Sequence, residues 1–259
     1  MIRPKKSLGQ NFLRDDNIAA AIVRALECNE GDAIVEIGPG TGALTNLIAK
    51  LPVNLTAIEL DRRAITELRV LFPSSTFPNV AICEGDFLQF DIQALSASDS
   101  RCKIIGNIPY YITADILFRI FENVPAIDRA VIMMQREVAE RITAQPRTKE
   151  YGILSVAAAF SSRPRKLFNV SPSCFYPKPK VESSVVLFDC SQQLLASERF
   201  KPVMSLVRAA FGQRRKVLGN ALKAYCNAVR TELPIEYARR RAEELTPTEF
   251  VNLYEQMHL

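Results

Sequence analysis

A chain of 259 residues, 48% hydrophobic with ordinary Gly and Pro, is long enough to bury one large core or two smaller ones, as a soluble globular protein does. Its six cysteines are scattered without a Cys-x-x-Cys pair and its one histidine is His258, which argues against a zinc site, a disulfide scaffold and a histidine general base. The net charge of +5 conceals a partition: residues 1–14 carry +4, residues 15–135 carry −7, and residues 136–189 and 190–259 carry +4 each.

Basic ends around an acidic middle suit a polyanion gripped at the ends while the middle binds something cationic or neutral, although charge runs are also ordinary solvated faces. No apolar run approaches the roughly 20 residues of a membrane span. Met1-Ile2-Arg3-Pro4-Lys5-Lys6 leads into a polar segment and not into a signal-peptide core. The expected address is the cytoplasm, with no membrane partner and mostly reduced, core thiols.

Lys5 to Leu13 is a basic, polar arm with two apolar anchors, ahead of a helical pattern from Asn17 to Leu26. Ala33-Ile34-Val35-Glu36-Ile37 then reads as a strand running into Gly38-Pro39-Gly40-Thr41-Gly42 and a helix from about Ala43 to Leu51. The glycine spacing is not that of dinucleotide sites, which aim a helix N-terminus at a pyrophosphate. It suits a ligand without phosphate that backbone must approach closely, and S-adenosylmethionine is such a ligand. A second strand, Leu55 to Leu60, contains Glu59, 21 positions after Gly38, where a carboxylate would accept both ribose hydroxyls. Asp61 is expected to cap the next helix, Ala64 to Leu71.

The loop Pro73 to Pro78 leads to a third strand, Val80 to Cys83, and then to Asp86, an acid placed to take the adenine amino group of the ligand. Lys103-Ile104-Ile105 is the fourth strand, followed by Gly106-Asn107-Ile108-Pro109-Tyr110-Tyr111 and by a helix capped by Thr113 and running to Phe121. Asn-x-Pro-Tyr suits a turn after a strand. It also supplies what a base amino group needs: the Asn107 side-chain oxygen as one acceptor, the Ile108 or Pro109 carbonyl as a second, and the Tyr110 ring for stacking.

Ala130 to Met134 reads as a fifth strand, with a helix starting at Gln135, and Ile153 to Phe160 as a further helix. Phe175-Tyr176-Pro177-Lys178-Pro179-Lys180-Val181 is a stiff basic connection, suited either to lining a nucleic-acid channel or to a rigid hairpin arm, and it enters a last strand, Ser184 to Phe188. Beyond Asp189 helical periodicity takes over, which places a domain boundary near Cys190 to Ser197. The basic groups expected to touch RNA phosphates are Arg3, Lys5 and Lys6 in the arm, Arg147 and Lys149, Lys178 and Lys180, and Arg214, Arg215 and Lys216; Arg239-Arg240-Arg241 forms another cluster.

Taken together, Ser7-Leu8-Gly9-Gln10-Asn11-Phe12-Leu13, Val35 to Gly42, Ile58-Glu59-Leu60-Asp61-Arg62, Gly106 to Tyr110 and Pro177 to Ser183 resemble, in order and over nearly the whole chain, the motifs of the bacterial small-subunit ribosomal RNA adenine N6,N6-dimethyltransferases. The resemblance implies an α/β, Rossmann-like S-adenosylmethionine-dependent methyltransferase fold: a seven-stranded, mostly parallel sheet with its last strand reversed, and a small all-α C-terminal domain. The implied division is 1–190, with the basic arm 1–14, and 191–259 for RNA or ribosome binding.

By motif position the donor would be held by Asn11, Leu13, Gly38, Glu59, Asp86 and Asn107. The target base would meet Asn107, Ile108, Pro109 and Tyr110, with Phe175 on its other side. Ile108 replaces the family's usual Leu and keeps both an apolar side chain and the carbonyl. The implied activity is dimethylation of two adjacent adenosines near the 3′ end of small-subunit (16S) RNA, by a monomer, without a metal.

The same family includes resistance methyltransferases acting on large-subunit RNA. Phe211 to Asn220 is similar to the small-subunit branch. An assembly factor acting mainly by binding, and a nicotinamide-dependent oxidoreductase, are the alternative classes; the glycine spacing counts against the latter.

Overall fold

The structure, a computed structural model, describes residues 2–5, 8–95 and 101–258. It divides into two compact units, one formed by Met1–Ala139 and Arg165–Ser191, the other by Glu140–Pro164 and Gln192–Leu259. The division differs from the expected 190/191 boundary because Glu140–Pro164 groups with the C-terminal residues. The physical reason lies in Ile153–Ser161, a helix with Val156, Ala157, Ala158 and Phe160 all buried, which needs helical partners around most of its surface.

In the first unit the chain runs through β1 (Phe12–Leu13), α1 (Asp16–Ala25), β2 (Ala33–Ile37), α2 (Thr45–Ile48), β3 (Asn54–Glu59), α3 (Arg62–Leu71), β4 (Val80–Glu84), β5 (Cys102–Asn107), α4 (Thr113–Glu122) and β6 (Ile127–Gln135). After α5 (Arg136–Ile142), which crosses into the second unit, come β7 (Arg163–Val170), β8 (Phe175–Tyr176) and β9 (Ser183–Asp189). The larger sheet has seven strands in the order β4-β3-β2-β5-β6-β9-β7. Neighbours from β4 to β6 are parallel, and β9 is antiparallel to β6.

Parallel strands covered on both faces need continuous apolar runs. Ile34, Val35 and Ile37 of β2, Ile104 and Ile105 of β5 and Val131 to Met134 of β6 provide them, all buried. Helix α1 buries Ala19, Ile22 and Val23 at helical spacing and is capped by Asp15, whose carboxylate accepts from the Asn17 and Ile18 N–H groups. Asp61 caps α3 as expected, although the helix starts at Arg62. Thr113 begins α4 without capping it; its hydroxyl donates to the Pro109 and Tyr110 carbonyls.

A second, two-stranded sheet pairs β1 with β8, placing Phe12 opposite Tyr176 and Leu13 opposite Phe175. Neither β1, β8 nor β7 is foreseen from sequence. Of the six cysteines, all free, only Cys102 and Cys190 are fully buried, and burial pushes their thiols up to about 11 and about 12.

The second unit consists of α6 (Ile153–Ser161), α7 (Ser197–Gly212), α8 (Leu218–Ala221), α9 (Lys223–Val229), α10 (Ile235–Ala238) and α11 (Pro247–Met257). An aromatic row of Tyr151, Phe211 and Phe250, with ring centroids 6.0 and 5.9 Å apart, forms part of its core. Among the described residues no helix is long and apolar enough to cross a membrane.

Candidate active site

Chain progression reverses at β2, which has β3 on one side and β5 on the other, so the loops leaving their carboxyl ends diverge and open a crevice. A cleft partly open to solvent lies there. Its walls are Glu36, Gly38 and Gly40 at the end of β2, Glu59 and Leu60 at the end of β3, Asn107 to Tyr110 at the end of β5, and the arm residues Leu8 to Leu13.

The turn after β2 needs glycine. Gly40 has φ +56°, and a Cβ there would lie 3.0 Å from the Phe12 ring, so the arm packs directly on bare backbone. The Gly40 N–H donates to Glu59 Oε2 at 3.0 Å, while Glu59 Oε1 accepts from the Leu60 and Asp61 N–H groups at 2.9 Å each. Three backbone donors thus fix one carboxylate at the cleft wall and leave it accepting capacity for hydroxyl groups.

A second carboxylate stands beside it. Glu36 is 1% exposed and accepts from Thr45 Oγ1 at 2.7 Å, and burial pushes it up to about 7, with the Glu59 charge adding to the shift. A buried acid half-ionised near neutrality is poised to pair with a cation. Glu36 escapes sequence reading because it sits inside an apolar strand. The signal is the strand itself: a carboxylate in Ala-Ile-Val-Glu-Ile has no place on a doubly buried strand unless it faces a ligand or a partner.

Across the cleft, Asn107 Nδ2 donates to the Asn11 carbonyl at 2.9 Å. That bond fixes which way the amide points, and its Oδ1 accepts no hydrogen bond from the described residues. The Pro109 carbonyl accepts from Ile112 N–H and Thr113 Oγ1 at the start of α4, whereas the Ile108 carbonyl receives no such bond from the described residues. Tyr110 is held by a 2.7 Å hydrogen bond between its hydroxyl and Ser183 Oγ, and burial raises its phenol above the usual range.

Of the residues assigned from sequence, Asn11, Leu13, Gly38, Glu59, Asn107, Ile108, Pro109 and Tyr110 therefore meet in one cleft. Two do not line it. Asp86 follows β4, the edge strand one position beyond β3, and its carboxylate caps the turn Phe87–Gln89 through the Leu88 N–H. Phe175 is 4% exposed, because pairing with Leu13 turns it into the hydrophobic core.

Among the basic residues, Lys178 and Lys180 are exposed in the first unit, and Arg147, Lys149, Arg215 and Lys216 in the second. Arg214 is engaged, donating to Glu243 at 2.8 Å and to the Thr148 carbonyl. Arg3 is exposed, Lys5 Nζ lies 3.8 Å from Asp61, and Lys6 lies outside the described residues. No group of three or more His, Cys, Asp or Glu side chains converges among the described residues.

The residues present fit S-adenosylmethionine by chemistry: a fixed carboxylate for vicinal hydroxyls, a second for a cationic end, and glycines that admit close contact.

Comparison with known proteins shows which family the chain resembles. Residues 1–258 match the family described as Ribosomal RNA adenine dimethylase. A Chlorobaculum parvum protein named Ribosomal RNA small subunit methyltransferase A is 43% identical over 258 residues, covering 99% of this chain and 90% of that one. The protein of the same name from Salinibacter ruber is 42% identical, covering 97% and 84%. Among solved structures, a dimethyladenosine transferase from Plasmodium falciparum shares the fold with a TM-score of 0.78 at 24% identity, covering 93% and 95%. The 23S rRNA methyltransferase ErmE does so with a TM-score of 0.69 at 25% identity, covering 96% and 100%. The chain belongs to the ribosomal RNA adenine dimethylase family.

Proposed function

We propose that the protein transfers methyl groups from S-adenosylmethionine to the N6 amino groups of two adjacent adenosines near the 3′ end of small-subunit ribosomal RNA. The observation that carries this is the Asn107 amide, turned by the Asn11 carbonyl so that its oxygen is left for an outside donor. When bound, S-adenosylmethionine supplies an electrophilic sulfonium methyl.

The target base must leave its stack to enter the cleft. There Asn107 Oδ1 and the Ile108 carbonyl accept the two N6 hydrogens, and Tyr110, braced by Ser183, stacks on the ring. Accepting both hydrogens as the nitrogen becomes tetrahedral localises its lone pair, and holding it in line accounts for most of the acceleration. The proton lost afterwards is acidic enough for water to take. Glu59 and Gly38 would hold the donor, with Asn11 and Leu13 folded over it, Glu36 at its charged end, and Asp86 reaching its adenine amino group.

Exposed Arg147, Lys149, Lys178, Lys180, Arg215 and Lys216 would make phosphate contacts. We infer a monomer acting on immature small subunits in the cytoplasm. The higher identity to small-subunit enzymes than to ErmE favours this substrate over large-subunit RNA. Incubation with immature small subunits and labelled donor, followed by mass spectrometry of RNA digests, should yield N6,N6-dimethyladenosine from small-subunit RNA. A product confined to large-subunit RNA would overturn the assignment.

A further inference from the structure

The arm that forms one wall of the cleft is tied to the end of β3 through a single carboxylate. The Asp61 side chain is 1% exposed. Its Oδ2 accepts from Gln10 Nε2 at 3.1 Å and from Arg63 at 2.6 Å, and its Oδ1 from the Arg63 N–H and Nε at 3.2 and 3.0 Å. Gln10 is itself fixed from the other side, its Oε1 accepting from the Lys5 N–H at 2.9 Å, and Arg63 reaches back to the Arg3 carbonyl at 3.0 Å. Capping α3 requires only the bond to the Arg63 N–H; the contact with Gln10 is additional and runs 51 residues along the chain.

A terminal segment frays unless it is tied down, and what this one carries is specific. Asn11, next to Gln10, supplies the carbonyl that orients Asn107, and Glu59, two residues before Asp61, is the fixed carboxylate of the cleft. The Arg63 guanidinium holds Asp61 well below the usual carboxylate range, at about 2, so the anchor stays charged at any working pH.

We propose that Asp61 is a positioning residue for methyl-donor binding: through Gln10 it holds the arm in place as a wall of the donor site. The proposal rests on the reading that the donor binds beside Glu59. Lys5 adds to the same anchor, its Nζ lying 3.8 Å from Asp61 Oδ1.

The test is a charge swap. Gln10→Ala should weaken S-adenosylhomocysteine binding, measured by calorimetry, about tenfold, the size expected for one hydrogen bond to a charged acceptor. The KM for the donor should rise in parallel, while kcat at saturating donor falls less than about threefold. Gln10→Glu sets two carboxylates face to face and should be worse; adding Asp61→Asn restores a donor–acceptor pair and should return affinity to within about threefold of wild type. Trypsin cleavage within residues 1–14 should be suppressed by S-adenosylhomocysteine in the wild type and not in Gln10→Ala.

Unchanged affinity in both Gln10 variants, or a folded double variant that does not recover, overturns the proposal. If the double variant does not fold, Gln10→Ala and its trypsin pattern decide. Glu59→Ala separates the two readings. If it binds normally, the donor site itself is misplaced; if it loses binding while the Gln10 variants keep theirs, only the role of Asp61 fails.

Discussion

Asn107, at the end of a central strand, and Asn11, in the N-terminal arm, are joined by one hydrogen bond of 2.9 Å that spans 96 residues of sequence. An isolated asparagine at a strand end would present its nitrogen or its oxygen with equal ease. The Asn11 carbonyl removes that freedom by accepting from Nδ2, and the arm thereby sets the polarity of the proposed acceptor for the base amino group.

Asn107→Ala should therefore lose chemistry far more than donor affinity. Removing one preorganised hydrogen-bonding group from a reacting centre lowers kcat by about 10²–10³-fold. Single-turnover methylation of small subunits should show that loss while S-adenosylhomocysteine binding weakens only severalfold. Equal losses in both would assign Asn107 to donor binding alone.

Gly40 has no conformational substitute. At φ +56° an L side chain costs about 1–2 kcal/mol, and the 3.0 Å approach of the Phe12 ring leaves a methyl group no space unless the arm moves. Gly40→Ala should lower Tm by about 3–8 °C and weaken donor binding more than its Tm change explains. Calorimetric melting alongside binding isotherms checks both halves of that expectation.

The Tyr110 ring and hydroxyl are separable. Tyr110→Phe removes only the 2.7 Å bond to Ser183 and should lower kcat/KM for subunits severalfold. Tyr110→Ala removes the stacking surface, which for a base on an aromatic ring contributes about 1–3 kcal/mol, and should raise the KM for subunits strongly with donor binding retained. Equal behaviour of the two variants would mean that the ring does not stack on the target.

How far these features were legible depends on where each residue sits. Gly38, Glu59 and Asn107 could be read because each ends a strand with a residue unsuited to a core. Asp86 ends a strand in the same way but lies outside the cleft lining, because it follows β4, the edge strand, a position that sheet order sets and sequence does not disclose. Motif position alone puts Phe175 against the base; its burial follows from the pairing of β8 with β1, which Phe-Tyr-Pro does not reveal because strands of two residues have no periodicity to detect. Edge strand β7, with Arg163, Arg165 and Lys166 exposed, lacks the apolar run that announces a buried one. The grouping of 140–164 with the C-terminal helices is likewise a tertiary choice, made by burial of α6.

Glu36 links donor binding to pH. Its folded-state value, raised from 4.5 to about 7 by burial, lies above that of the unfolded chain. Between roughly pH 4.5 and 7 the folded protein then holds a proton that the unfolded chain has released, so this residue makes stability fall as pH rises through that window and level off above it. Glu36→Gln removes the titration, and the Tm difference, variant minus wild type, should grow from pH 5 to pH 7.5. Donor binding runs the other way, because a cationic ligand end pairs with the ionised carboxylate and not with the protonated one. Wild-type affinity for S-adenosylmethionine should tighten from pH 6 to pH 8, and the Glu36→Gln variant should bind more weakly with little dependence on pH. Calorimetric titrations at both pH values decide it: parallel pH profiles for the two proteins would show that the ligand's charged end does not lie against Glu36.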